Sequence, residues 1–150
     1  MNKMIESIKE IHKKDVCLFK IGSFYHAYGR DAYILSYLLG YKIKTAEIEK
    51  SWKECGFPTC SVSKVMANLE EKKINYILID RRNNYDVDEK MNFKNLNRYD
   101  HYYEKANKFI NYKRRIDNIT EFLVNNIENK EFLKILNKME EVVTNERREV

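Results

Sequence analysis

Val16-Cys17-Leu18-Phe19-Lys20-Ile21-Gly22-Ser23-Phe24-Tyr25-His26-Ala27-Tyr28-Gly29-Arg30-Asp31 is the stretch whose reading decides the fold. Val16 to Ile21 is a β-branched and aromatic run of strand length, a composition that suits a pleated, half-buried surface. Gly22-Ser23 is a turn or bulge signal, Phe24 to Tyr28 resumes as a second short strand, and Gly29-Arg30-Asp31 punctuates the chain again. Asp31 suits a helix N-cap or a first-turn acid, and the helix it introduces runs from Ala32 to about Leu39 and stops at Gly40.

Working outward, Asn2 to about Lys14 carries Ile5, Ile8 and Ile11 at three-residue spacing among charges, which predicts a short amphipathic helix. Tyr41 to Ala46 alternates apolar and basic residues and predicts a strand whose wet face holds Lys42 and Lys44. A polar connector, Glu47 to Glu54, leads to Cys55-Gly56-Phe57-Pro58, read as a tight loop. Ser61 or Ser63 can cap a helix with Val62, Val65, Met66 and Leu69 at helical period, and Ile74 to Asp80 is nearly all apolar, as a central strand is. Strands alternating with helices predict an α/β domain, a mixed sheet with flanking helices, over residues 1–97. Within it, Arg81 to Asn97 reads as a polar linker or exposed loop.

From Arg98 the pattern changes. Tyr102, Ala106, Phe109, Ile110, Ile116, Ile119 and Leu123 share one helix face. After Asn125-Asn126, the residues Phe132, Leu133, Leu136, Met139 and Val143 share another. Residues 98–150 are expected to form a C-terminal antiparallel helical hairpin, docked on the α/β layer or on a partner.

Composition bounds the function. The chain has 150 residues, 43% hydrophobic and 34% charged, with 4 Gly and 1 Pro, which is globular rather than disordered. Its longest apolar run, Tyr33 to Tyr41, is broken by Ser36 and Gly40 and falls short of the ~20 residues a membrane span needs. The N-terminus lacks the apolar stretch of a secretory signal, so a soluble, cytoplasmic protein is expected, with no membrane partner. Cys17, Cys55 and Cys60 form no CxxC pair and His12, His26 and His101 are scattered, so no metal is expected and the thiols read as reduced, half-buried apolar residues. No GxxxxGK[ST], GxGxxG, GxSxG or HExxH motif is present, and neither catalysis nor a cofactor is expected. Asp80, Asp86, Asp88 and Glu89 could imitate a metal-dependent nuclease cluster, but three of them fall in the polar connector, where solvated carboxylates are ordinary. The net charge of +5 fits a protein that touches a polyanion over part of its surface without requiring one.

Phe19-Lys20-Ile21-Gly22-Ser23-Phe24-Tyr25-His26-Ala27-Tyr28-Gly29-Arg30-Asp31-Ala32 resembles the F-x-x-G-D-F-Y-E-x-F-x-x-D-A signature of the N-terminal, mismatch-recognition domain of the MutS family. The likeness continues through Ser36 to Leu39, through Gly56-Phe57-Pro58, which is similar to the family's G-[IV]-P loop, and through the helix Val62 to Leu69 and the strand Tyr76 to Asp80. It covers about residues 16–81 and leaves the C-terminal helices outside. In the family the first aromatic of F-Y-E wedges into the duplex and the Glu contacts the mispaired base. The resemblance therefore implies that Phe24 is a wedge, that His26 stands at the Glu position, and that Tyr25 points into the domain, because residues i and i+2 of an extended segment face one way. Ser23 replaces the family's Asp, and Asp80 stands where it usually has Glu.

His26 is the main departure. A carboxylate only accepts hydrogen bonds, whereas an imidazole donates, accepts or carries positive charge. A protonated His26 beside phosphate would tighten binding on acidification; a His26 satisfied by neighbouring backbone would not. Phe24 could equally be a core aromatic. Lys20, Lys42, Lys44 and Lys64 read either as a solvated face or as phosphate contacts. Lys113-Arg114-Arg115 is ordinary helix surface or a backbone-contact patch. Two functions follow from the likeness. One is an accessory subunit that binds nucleic acid, DNA or RNA, beside a reverse transcriptase with its template RNA, as similar stand-alone proteins do in diversity-generating retroelements. The other is a stand-alone sensor of mismatched or distorted DNA.

Overall fold

The structure is a computed structural model that describes residues 2–149. Internal contacts divide the chain into two units, Met1–Ile110 and Asn111–Val150. The first contains helix α1 (Asn2–Ile11), strands β1 (Val16–Ile21) and β2 (Phe24–Tyr28), helix α2 (Arg30–Leu39), strands β3 (Lys44–Thr45) and β4 (Lys53–Pro58), helix α3 (Val62–Glu71) and strands β5 (Tyr76–Asp80) and β6 (Asp86–Met91). Helix α4 (Tyr99–Asn125) starts in the first unit and ends in the second, which also holds α5 (Phe132–Glu149). The division falls inside α4. No helix among the described residues is long and apolar enough to cross a membrane.

The six strands form one mixed sheet in the order β3-β4-β2-β1-β5-β6. The β1–β5 pair is parallel, and every other pairing is antiparallel. Gly22, in the β1–β2 turn, takes φ +65°, a left-handed conformation that side chains resist. Gly40 ends α2 at φ +78° and donates its N–H to the Ser36 carbonyl.

Alternation sorts the strand residues between two cores. Leu18, Tyr25, Ala27, Cys55, Phe57 and Leu78 pack on one face beneath Ile34 and Leu35 of α2, Val65 and Leu69 of α3, and Tyr99 and Ala106 of α4. On the other face Cys17, Phe19, Tyr28, Ile77 and Ile79 pack with Ile5 of α1 and with Ala46. Each fully buried aliphatic or aromatic side chain contributes about 1.5–3 kcal/mol. Tyr25 is 5% exposed and lies with the first core, on the side opposite its neighbours in sequence.

Asp31 ties these layers together. It sits in the first turn of α2 rather than at the cap, which is Gly29. Its Oδ2 accepts from the Cys17 backbone N–H at 3.1 Å and from Lys9 Nζ at 3.0 Å, and its Oδ1 accepts from the Tyr99 hydroxyl at 2.6 Å. One carboxylate so joins α1, β1, α2 and α4.

Several segments differ from the sequence reading. The strand expected over Tyr41 to Ala46 contracts to Lys44–Thr45, because Tyr41 leaves the ladder to stack on Phe57 with ring centroids 5.3 Å apart. Glu54 and Cys55-Gly56-Phe57-Pro58, read as connector and loop, belong to β4; Pro58 takes its last position, where the missing N–H interrupts nothing further. The polar linker contains β6 (Asp86–Met91), exposed along Asp86 to Lys90, which pairs with the free edge of β5. Charged residues on an edge strand discourage further pairing, which is why its composition resembles a loop. Neither Ser61 nor Ser63 caps α3 by its side chain: the Thr59–Ser61 3₁₀ turn leads directly in, and Ser61 holds the cap position without a hydrogen bond. Cys60 is exposed, while Cys17 and Cys55 are buried.

In α4, Tyr99 and Ala106 are buried, whereas Ile116, Ile119 and Phe122 are 61%, 49% and 51% exposed. Within the second unit, Leu123, Leu136, Met139 and Val143 line one shallow groove.

Candidate nucleic-acid interface

The pleat of β2 sends Phe24, His26 and Tyr28 to the same face. Across the β2–β4 ladder Phe24 lies opposite Pro58, His26 opposite Gly56, and Tyr28 opposite Glu54. The β3–β4 pair then sets Lys44 opposite Glu54. Phe24, His26, Tyr28, Glu54 and Lys44, with Lys42, Glu47 and Ile48, line a cleft of about 430 Å³.

The cleft is apolar at its lip and polar on its wall. Phe24 is 46% exposed, although it is a large aromatic on a central strand. Glu54 is only 3% exposed. Its Oε2 lies 3.4 Å from His26 Nδ1 and its Oε1 lies 3.7 Å from Lys44 Nζ. Those separations allow charge attraction, but the His26 approach makes no hydrogen bond: among the described residues His26 Nδ1 and the Tyr28 hydroxyl both lack a hydrogen-bond partner. His26 is therefore not satisfied by neighbouring backbone at that nitrogen. An unmade buried hydrogen bond costs about 1–3 kcal/mol, so the cleft carries polar groups that the fold itself does not satisfy. Burial, and secondarily the Glu54 charge, pushes the Tyr28 hydroxyl well above the usual phenol range, so it stays protonated. The His26 and Tyr28 rings stack with centroids 6.3 Å apart and planes 9° from parallel.

The structure brings Phe24, His26, Lys42 and Lys44 together. Lys20 lies on the other face of the sheet, opposite Tyr25 in β2 and Asp80 in β5. Lys64 is exposed at the start of α3, the helix whose Val65 and Leu69 pack on that same face. Lys113, Arg114 and Arg115 are exposed on α4 in the second unit. Asp80 is occupied locally, its Oδ1 accepting from the Arg82 backbone N–H at 2.9 Å. Among the described residues no three His, Cys, Asp or Glu side chains converge to hold a metal ion.

Glu54 and Tyr28 are cleft residues that sequence reasoning missed. The signal for Glu54 was the alternation Glu54-Cys55-Gly56-Phe57, with apolar side chains at every second position. The Gly-Phe-Pro string, which favours a turn, masked it.

A family model described as MutS domain I matches residues 1–109. The match ends inside α4, where the first compact unit also ends. No curated protein matches the chain.

Proposed function

The chain belongs to the MutS domain I family, and on that premise we propose that it is a non-catalytic module that binds distorted DNA through the cleft beside Phe24. The observation that carries this reading is a large aromatic left 46% exposed at the lip of a cleft that also holds Lys42 and Lys44. An exposed ring can enter an unstacked base step, and the two cations can hold the adjoining phosphates. The charge distribution supports it. Basic and acidic residues are equal in number over 111–150, so the whole excess of +5 resides in residues 1–110.

The test is fluorescence anisotropy with a regular duplex and a duplex carrying one mismatch or bulge. Affinity should fall steeply with salt as phosphate contacts are screened. Phe24→Ala should weaken the distorted duplex by about 1–3 kcal/mol and the regular duplex much less. No binding at low salt, or binding indifferent to both salt and Phe24, defeats the proposal.

The second unit favours an additional role. Ile116, Ile119, Phe122 and Leu133 stay exposed on helices whose charges balance, a surface suited to protein rather than phosphate. An accessory subunit that docks a protein partner, such as a reverse transcriptase with its template RNA, fits that surface. Co-purification with the chain, lost in an Ile116→Asp, Ile119→Asp double variant, would support it; retention would count against docking by α4.

A further inference from the structure

The wall of the cleft asks for a more specific occupant than a phosphate backbone. Resting on the DNA-binding reading above, we infer that the space between β2, β4 and Lys42 receives one unpaired nucleobase, and that Glu54 makes it selective for guanine.

Glu54 is a carboxylate 3% exposed that accepts no side-chain hydrogen bond from any described residue; it has only two ion-pair contacts, at 3.4 and 3.7 Å. Beside it are two polar atoms without a hydrogen-bond partner among the described residues, Tyr28 OH and His26 Nδ1. Buried polar groups in proteins normally find partners within the fold; here two neighbouring atoms do not, beside a buried carboxylate held only by two long ion pairs, and such a set is matched to something outside the fold. The cleft, about 430 Å³, is of the size that takes a small planar ligand. Phe24 offers such a ligand a ring to stack on, and Lys42 and Lys44 are placed for its flanking phosphates.

The chemistry of the acceptor selects the base. A buried carboxylate has acceptor sites only and binds best where two N–H donors lie side by side. Guanine presents its ring N1–H next to its amino group along the pairing edge. Adenine and cytosine place a ring lone pair beside the amino group, which Glu54 would repel. Thymine flanks one N–H with two carbonyl oxygens. Lys44 is 58% exposed and only loosely paired with Glu54, so it can turn outward to a phosphate and leave the carboxylate to the base.

Three DNA duplexes that differ only in a single unpaired nucleotide (guanine, hypoxanthine or adenine) test the inference by anisotropy. The chain should bind the guanine bulge about tenfold more tightly than the adenine bulge. Hypoxanthine, which keeps N1–H and lacks the amino group, should fall between. In Glu54→Gln the three should converge to within about twofold, with the salt dependence of binding retained. Equal affinity of the wild-type chain for all three overturns guanine selectivity and leaves the DNA-binding reading standing. Failure to bind any of them at low salt overturns both. Should Glu54→Gln not fold, the wild-type comparison among the three bases decides alone.

Discussion

The Tyr99 hydroxyl donates a 2.6 Å hydrogen bond to Asp31 Oδ1, and both residues are 2% exposed. This bond fastens the first turn of α4 to the first turn of α2, and through the other Asp31 oxygen to Lys9 and the backbone of β1. It makes the start of α4 part of the α/β unit.

Tyr99→Phe should therefore destabilise the fold by about 1.5–3 kcal/mol, the range for a buried hydrogen bond to a charged group. It should also change the response to alkali. Burial first, then the Asp31 charge, raises the Tyr99 hydroxyl far above the ordinary phenol value. A group whose pKa is raised by folding adds stability that is fully present below its unfolded value, about 10, and is lost as the pH climbs beyond it. Urea unfolding between neutral and strongly alkaline pH should show that loss. It should be shallower in Tyr99→Phe, and an unchanged pH profile would contradict the assignment.

The three thiols should separate by reactivity. Cys60 is exposed, while burial pushes the Cys55 thiol up to about 12 and the Cys17 thiol higher still. The thiolate is the reacting form, so a disulfide-exchange reagent should label only Cys60 in the native chain and all three residues after denaturation. Rapid native labelling of Cys17, mapped by peptide mass, would show that the core around β1 opens.

Glu54→Gln should leave thermal stability unchanged or raise it by up to about 1 kcal/mol. A buried carboxylate held by two long ion pairs has lost its hydration and regains little from its neighbours. A fall of several degrees in Tm would mean that Glu54 serves the fold rather than a ligand.

One helix should show two regimes. Ala106 is fully buried, so Ala106→Leu should overpack the core cluster it shares with residues of α2 and α3 and cost about 1–3 kcal/mol. Ile119 is 49% exposed, and Ile119→Ser should alter stability by no more than about 0.5 kcal/mol. Chemical denaturation of the two variants measures both, and a large loss in Ile119→Ser would mean that this face is covered in solution.

Much of the architecture is legible in single residues. The Val16–Ile21 and Phe24–Tyr28 runs, the Gly22-Ser23 turn, the Gly40 stop and the apolar Tyr76–Asp80 strand are local signals, and each forms as its own composition dictates. The placement of Phe24 and His26 on one face follows from the strand period alone. What the sequence could not determine by itself is pairing between distant segments. Glu54 looks like one more acid of a polar connector until β4 inserts between β2 and β3 and buries it against Tyr28 and Lys44. Strand pairing sets which residues become neighbours, and it depends on hydrogen bonds between backbones far apart in the chain, which no local pattern encodes. The motif is written in the order of residues; the acceptor that gives the cleft its chemistry comes from the tertiary fold.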